Sequence, residues 1–162
     1  MTDNGVVGGP ITTGTQVAAP AVAAFQPADP GAGITWRQWM NDPGCSSSGS
    51  VVTVAADLTV DARPCTTVKL PQLTVRLRGD LTIHADSLDT LGGTAFVSDD
   101  GLPHTVEVIA TGAVKFSAQS TTDTLIGLAV HTPGLVTVLG PSDLTATIDS
   151  GAFTSSGAVT LR

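Results

Sequence analysis

The chain changes character near residue 50, and that boundary limits what it can fold into more than any other feature. Residues 1–34 carry Pro10, Pro20, Pro27 and Pro30 together with Gly5, Gly8, Gly9, Gly14, Gly31 and Gly33. Each proline fixes φ and removes a backbone donor, and each glycine adds entropy to the unfolded chain. A helix or a central strand is therefore excluded over most of this length. The segment still holds Val6, Val7, Ile11, Val17, Val22 and Phe25, and it has no block of charge. A solvating tail is more polar than this. The expectation is an extended arm that lays apolar side chains on a partner, with a disordered leader as the alternative.

From Val51 to Arg162 the pattern is period two or short apolar runs rich in Val, Leu, Ile and Thr. Candidate strands fall at 51–54, 58–60, 66–70, 73–77, 81–85, 94–98, 105–110, 113–118, 125–130, 135–139, 144–148 and 158–161. Short strands at this spacing, with turn signals between them, predict an all-β fold: a compact antiparallel sandwich or barrel. The clearest hairpin joins 73–77 to 81–85 through Arg78-Gly79-Asp80, with Leu73, Val75, Leu77, Leu81, Ile83 and Ala85 on one face. A second pairs Val106-Glu107-Val108-Ile109 with Val114-Lys115-Phe116, setting Glu107 against Lys115 on the outer face. Leu58-Thr59-Val60, Leu73-Thr74-Val75, Leu81-Thr82-Ile83 and Leu144-Thr145-Ala146 resemble one another and raise a β-solenoid as the alternative. Their spacing gives no clear rung period, which ranks the solenoid second.

Residues 35–50 form the junction. Thr35 and Gln38 fit a capping box, and Trp36, Trp39 and Met40 then share one face of a single helical turn that Pro43 and Gly44 stop. Both tryptophans of the chain sit in this turn. They plug the β domain or anchor a protein contact, a role for which Trp is enriched. Cys45 and Cys65 flank the strand region 51–60. A reducing compartment leaves them as free thiols; alternatively, a disulfide closes a loop worth about 3 kcal/mol in the chain-entropy model. The domain plan is an arm at 1–34, a helical turn and loop at 35–50, and a β domain at 51–162.

Charge and composition exclude several functions. The net charge is −7, and the seven Lys and Arg are scattered, with no Tyr to build a stacking platform. Nucleic acid and anionic membrane surfaces are excluded as main partners, because both need clustered cations. No apolar run approaches the ~20 residues that span a bilayer. Met1-Thr2-Asp3-Asn4-Gly5 has neither a basic nor an apolar leader region, so no secretory signal is expected. Only 13% of residues are charged, as on surfaces that partner subunits cover.

The catalytic inventory is thin. Glu107 is the only glutamate, and the aspartates lie mainly in turns such as Asp99-Asp100-Gly101, where local backbone bonds account for them. His84, His104 and His131 are far apart and outside any metal spacing; they read as surface or turn residues. No nucleophile elbow, phosphate loop or dinucleotide fingerprint occurs. No enzyme activity, cofactor or metal is expected. Arg78-Gly79-Asp80 matches an adhesion tripeptide but has a sufficient reason as a turn.

The layout resembles capsid decoration proteins of tailed bacteriophages. The resemblance is carried by the arm, from Thr12-Thr13-Gly14 through Pro30, and by the β segment from Thr105 to Phe116. It implies a structural virion protein, made in the host cytoplasm, that trimerises on the outside of a capsid and stabilises it. The implied partners are the major capsid protein or other virion subunits, and the expected contact residues are Val17, Val22, Phe25, Trp36 and Trp39. The alternative is a receptor- or carbohydrate-binding module of a phage tail or cell surface, which needs an open aromatic platform. A depolymerase on a β-solenoid ranks third.

Overall fold

The computed structural model describes residues 33–41, 43–47 and 49–162. The chain opens with β1 (Ile34–Thr35) and α1 (Trp36–Met40). A first turn follows as β2 (Val51–Val54), β3 (Leu58–Asp61) and β4 (Val68–Lys69), and a second as β5 (Thr74–Leu77), β6 (Leu81–Ala85) and β7 (Leu88–Asp89). A third is β8 (Ala95–Ser98), β9 (His104–Ala110) and β10 (Val114–Phe116). Next come β11 (Thr121–Thr122), β12 (Ile126–Leu139), β13 (Ser142–Leu144), β14 (Ala146–Ser156) and β15 (Val159–Leu161).

Every strand pairing among these elements is parallel, and each strand pairs with its counterpart one turn away. The result is a β-solenoid of about five turns with three faces. The first face stacks β2, β5, β8, β11, β13 and β15. The second stacks β1, β3, β6, β9 and the leading parts of β12 and β14. The third stacks β4, β7, β10 and the trailing parts of β12 and β14. Both long strands run round the corner between the second and third faces, joining these into one sheet.

This overturns the antiparallel sandwich or barrel. The expected hairpin of 73–77 with 81–85 does not form: β5 pairs β2 and β8 on the first face, while β6 pairs β3 and β9 on the second. The turn Arg78-Gly79-Asp80 is a corner. Likewise β9 and β10 are not partners; each lies against a different part of β12. The expected Glu107–Lys115 pair is replaced by Lys115–Asp89 at 3.4 Å and His131–Glu107 at 3.6 Å. The physical reason is that period-two alternation reports which side of a strand is buried, not which strand lies beside it.

The core is a stack of like residues down the solenoid axis. Val60, Ile83, Val108 and Val130 fill the second face from within; Val68, Leu88, Val114 and Val136 fill the third; Val75, Phe96 and Leu144 fill the first. All are buried. Parallel sheets need both faces covered in most folds. Here the inner face is covered by the other two faces, and the outer one interleaves Thr with charged side chains such as Asp61, Arg76, Glu107 and Lys115.

Candidate functional site

The two ends of the solenoid are built differently, and they are the features that separate this chain from a plain prism. At the first end α1 lies beside β1 and β3. Thr35 Oγ1 accepts from the Gln38 amide at 3.3 Å, and Gln38 Oε1 accepts from the Thr35 amide at 2.8 Å, so the expected capping box is formed. Asn41 ends the helix in the left-handed region at φ 50°. Trp36 is buried in the core cluster and its indole N–H donates to the Gly44 carbonyl at 3.0 Å. Trp39 meets Trp36 edge to face, with ring centroids 5.6 Å apart. Cys45 and Cys65 are joined by a disulfide, Cα–Cα 5.6 Å, which ties the loop after α1 to the turn before β4. The bonded alternative, not the free thiols, is the one the structure contains.

At the second end nothing among the described residues lies over the last turn. β14 and β15 are edge strands, with neighbours on one side only. Their inward registers continue the core columns: Ile148 follows Val130, Phe153 follows Val136, and Leu161 follows Leu144. Yet Phe153 is 45% exposed and Leu161 41%. With Ala146 and Ser150 they line a shallow depression of about 280 Å³. These are core side chains that have lost one layer of neighbours.

The sides of the prism are chemically occupied. Corner carboxylates bridge successive turns: Asp57 accepts from the Asp80 amide at 2.9 Å, Asp80 from the Thr105 amide at 2.7 Å, and Asp123 from the Ser98 amide at 2.7 Å. Local bonding, the usual expectation for turn aspartates, holds for Asp100 and Asp123, which accept from the Leu102 and Leu125 amides. Within the adhesion-like tripeptide, Arg78 is paired to Asp99 at 2.6 Å and Asp80 holds Thr105. Arg78 and Arg76 on Asp99 keep that carboxyl below its ordinary range, as Arg63 does for Asp61.

His84 corrects the expectation of surface histidines: it stands in the outward register between Asp61 and Ile109 but is only 3% exposed. His104 bonds Asp100 at 2.9 Å, and His131 sits between Glu107 and Asp149 at 3.6 and 3.9 Å. Among the described residues no group of three or more His, Cys, Asp or Glu is placed to hold a metal, and no helix is long and apolar enough to cross a membrane.

Of the expected contact residues, Val17, Val22 and Phe25 lie outside the described residues. Trp36 is buried in the cap and Trp39 half-buried against it, so the pair forms no open aromatic platform. The open end was missed by sequence reasoning.

Comparison with protein-family models, with curated proteins and with solved structures finds no match to this chain. The fold and site thus define a class and no more: a three-faced parallel β-solenoid, plugged at the end where β1 lies and, among the described residues, with β14 and β15 unpaired on one side.

Proposed function

We propose that this chain is a structural, non-enzymatic virion protein that attaches to the outside of a bacteriophage capsid through its N-terminal arm and stabilises the shell. The carrying observation is the polarity of the solenoid. The apolar leader 1–32 precedes β1 in the chain, and β1 belongs to the plugged first turn. A rigid prism with an apolar leader at one end suits a clamp on a protein surface. Two further features support the reading. Asp57, Asp80, Asp123, Glu107 and His131 are engaged in turn-to-turn contacts, and His104 is held locally by Asp100. Charged residues make up only 13% of the chain, as in proteins made for close protein contact. Trp36, buried in the cap, offers no support to the carbohydrate-binding alternative.

The test is co-sedimentation of the full chain with shells assembled from the major capsid protein. The triple variant Val17→Asp, Val22→Asp, Phe25→Asp should keep the β circular-dichroism signature and lose the shell. Unchanged binding by that variant would sink the reading.

A further inference from the structure

We propose that the Cys45–Cys65 disulfide is a redox latch on the plug: a small dithiol enters the cavity beside it, exchanges with it in the folded molecule, and loosens α1 from the end of the core. The inference stands on the plugged turn and is independent of shell binding.

The need for a latch follows from the length of the plug. The helix α1 has five residues, too few to persist without contacts from outside it. Those contacts converge on the loop that follows. Trp36 is buried, and its indole N–H donates to the Gly44 carbonyl at 3.0 Å. The next residue, Cys45, is bonded through sulfur to Cys65. The Cys45 carbonyl accepts from the Lys69 amide at 2.8 Å, and the Ser47 amide donates to the Lys69 carbonyl at 3.0 Å. The bridge is the covalent member of this set, one residue from the carbonyl that anchors Trp36. Opening it leaves the indole's acceptor on a loop with no cross-link to the first turn.

The bridge is also within reach of a reagent. Cys65 is buried, but Cys45 is only half-buried and follows the exposed Pro43-Gly44. Both cysteines line a cavity of about 310 Å³, together with Trp36, Arg37, Asp61 and Pro64. A small thiol fits that space. Charge favours its reactive form, which is the thiolate. Arg63 holds both carboxylate oxygens of Asp61 at 2.9 Å, whereas Arg37 has no ion pair among the described residues. The cavity therefore meets an incoming anion with an unbalanced guanidinium.

The exchange runs in two displacements. One thiolate of the dithiol attacks Cys45 Sγ, the S–S bond breaks, and Cys65 Sγ leaves with the electron pair and takes a proton from water. The second sulfur of the reagent, as thiolate, attacks the mixed disulfide, closes the reagent into a cyclic disulfide and expels Cys45 as a thiol. The dithiol is oxidised by two electrons and the protein disulfide is reduced by two.

The experiment treats the full chain with dithiothreitol and follows free thiols, tryptophan emission and circular dichroism together. Trp36 and Trp39 are the only tryptophans, so the emission reports on the plug. Thiols should appear at a rate proportional to dithiol concentration and unchanged by urea below the unfolding transition. Emission should move to longer wavelength as the indoles gain water, with the β signature intact, and excess glutathione disulfide should restore it. The double variant Cys45→Ser, Cys65→Ser should show the shifted emission from the start and give no response to the reagent. A rate that climbs with urea means that the bond is reached only through unfolding, and overturns the proposal. Reduction that leaves the emission unmoved overturns it too, as does a double variant whose emission still answers to the dithiol. None of these readouts uses a shell, so the latch and the proposed function fail separately.

Discussion

Asp80 shows how single residues hold this fold together. Its amide donates to Asp57 of the preceding turn, and its carboxylate accepts from Thr105 of the following one. Asp80→Ala leaves the Thr105 amide without that acceptor. A partly solvated bond of this kind is worth about 1 kcal/mol, and the loss should show as a lower urea midpoint at unchanged slope. The paired carboxylates also set the acid limit. Arg63 lowers the Asp61 pKa, Arg78 and Arg76 lower that of Asp99, and the Leu102 amide with His104 lowers that of Asp100. A group whose folded-state pKa is depressed adds stability above its unfolded value and loses it as pH falls through the folded value. The melting temperature should therefore be level from neutrality down to about pH 5 and fall steadily below about pH 4. A melting temperature that rose on acidification would contradict the pairings. The sequence marked these aspartates as turn residues, but a turn residue's partner one solenoid turn away has no local trace.

At the scale of elements, the plug and the corners make the sharpest tests. Trp36→Ala removes a buried indole from the end of the core and should cost about 3–5 kcal/mol. The double change Cys45→Ser, Cys65→Ser opens a loop of 20 residues and should cost about 3 kcal/mol in the chain-entropy model. Both are read from denaturant unfolding. The corner between the second and third faces is made by Gly112, Gly134 and Gly151 in successive turns. A Cβ on Gly134 would lie 2.5 Å from the Gly112 carbonyl oxygen, whereas one on Gly127 would meet nothing within 4 Å. Gly134→Ala should destabilise by about 1–3 kcal/mol, while Gly127→Ala should be neutral or slightly stabilising.

Much of this level was legible. The segments 51–54 and 81–85 are strands with the expected bounds, and the capping box of Thr35 and Gln38 forms as its spacing implies. Pairing was not legible, because Leu73–Leu77 alternates identically whether its neighbour follows at once or a turn later. Thr121–Thr122 went unseen, being two polar residues held by position in the stack. The segments 125–130 and 135–139 looked separate because Pro133-Gly134 reads as a turn, although β12 runs through it as a bent corner.

For the whole molecule, the hidden period has a simple cause. One turn takes 26 residues between Ile34 and Val60 but 17 between Val136 and Phe153. A repeat whose length varies from turn to turn cancels in any fixed-period comparison, so the solenoid ranked second to a sandwich. The unlike ends predict unlike stability. Amide exchange should be fastest in β14 and β15, slower in β12, and slowest in β3 and β6 behind the plug. Uniform protection across the turns would show that the solenoid opens as one unit. Parallel stacking has a mechanical corollary as well. The plugged and open ends lie at opposite ends of the axis, and each turn is bonded only to its neighbours. Tension applied through Arg162 would peel the outermost turn without loading the rest. Under a pulling probe the molecule should pay out like thread from a spool, in successive steps of one turn's length each.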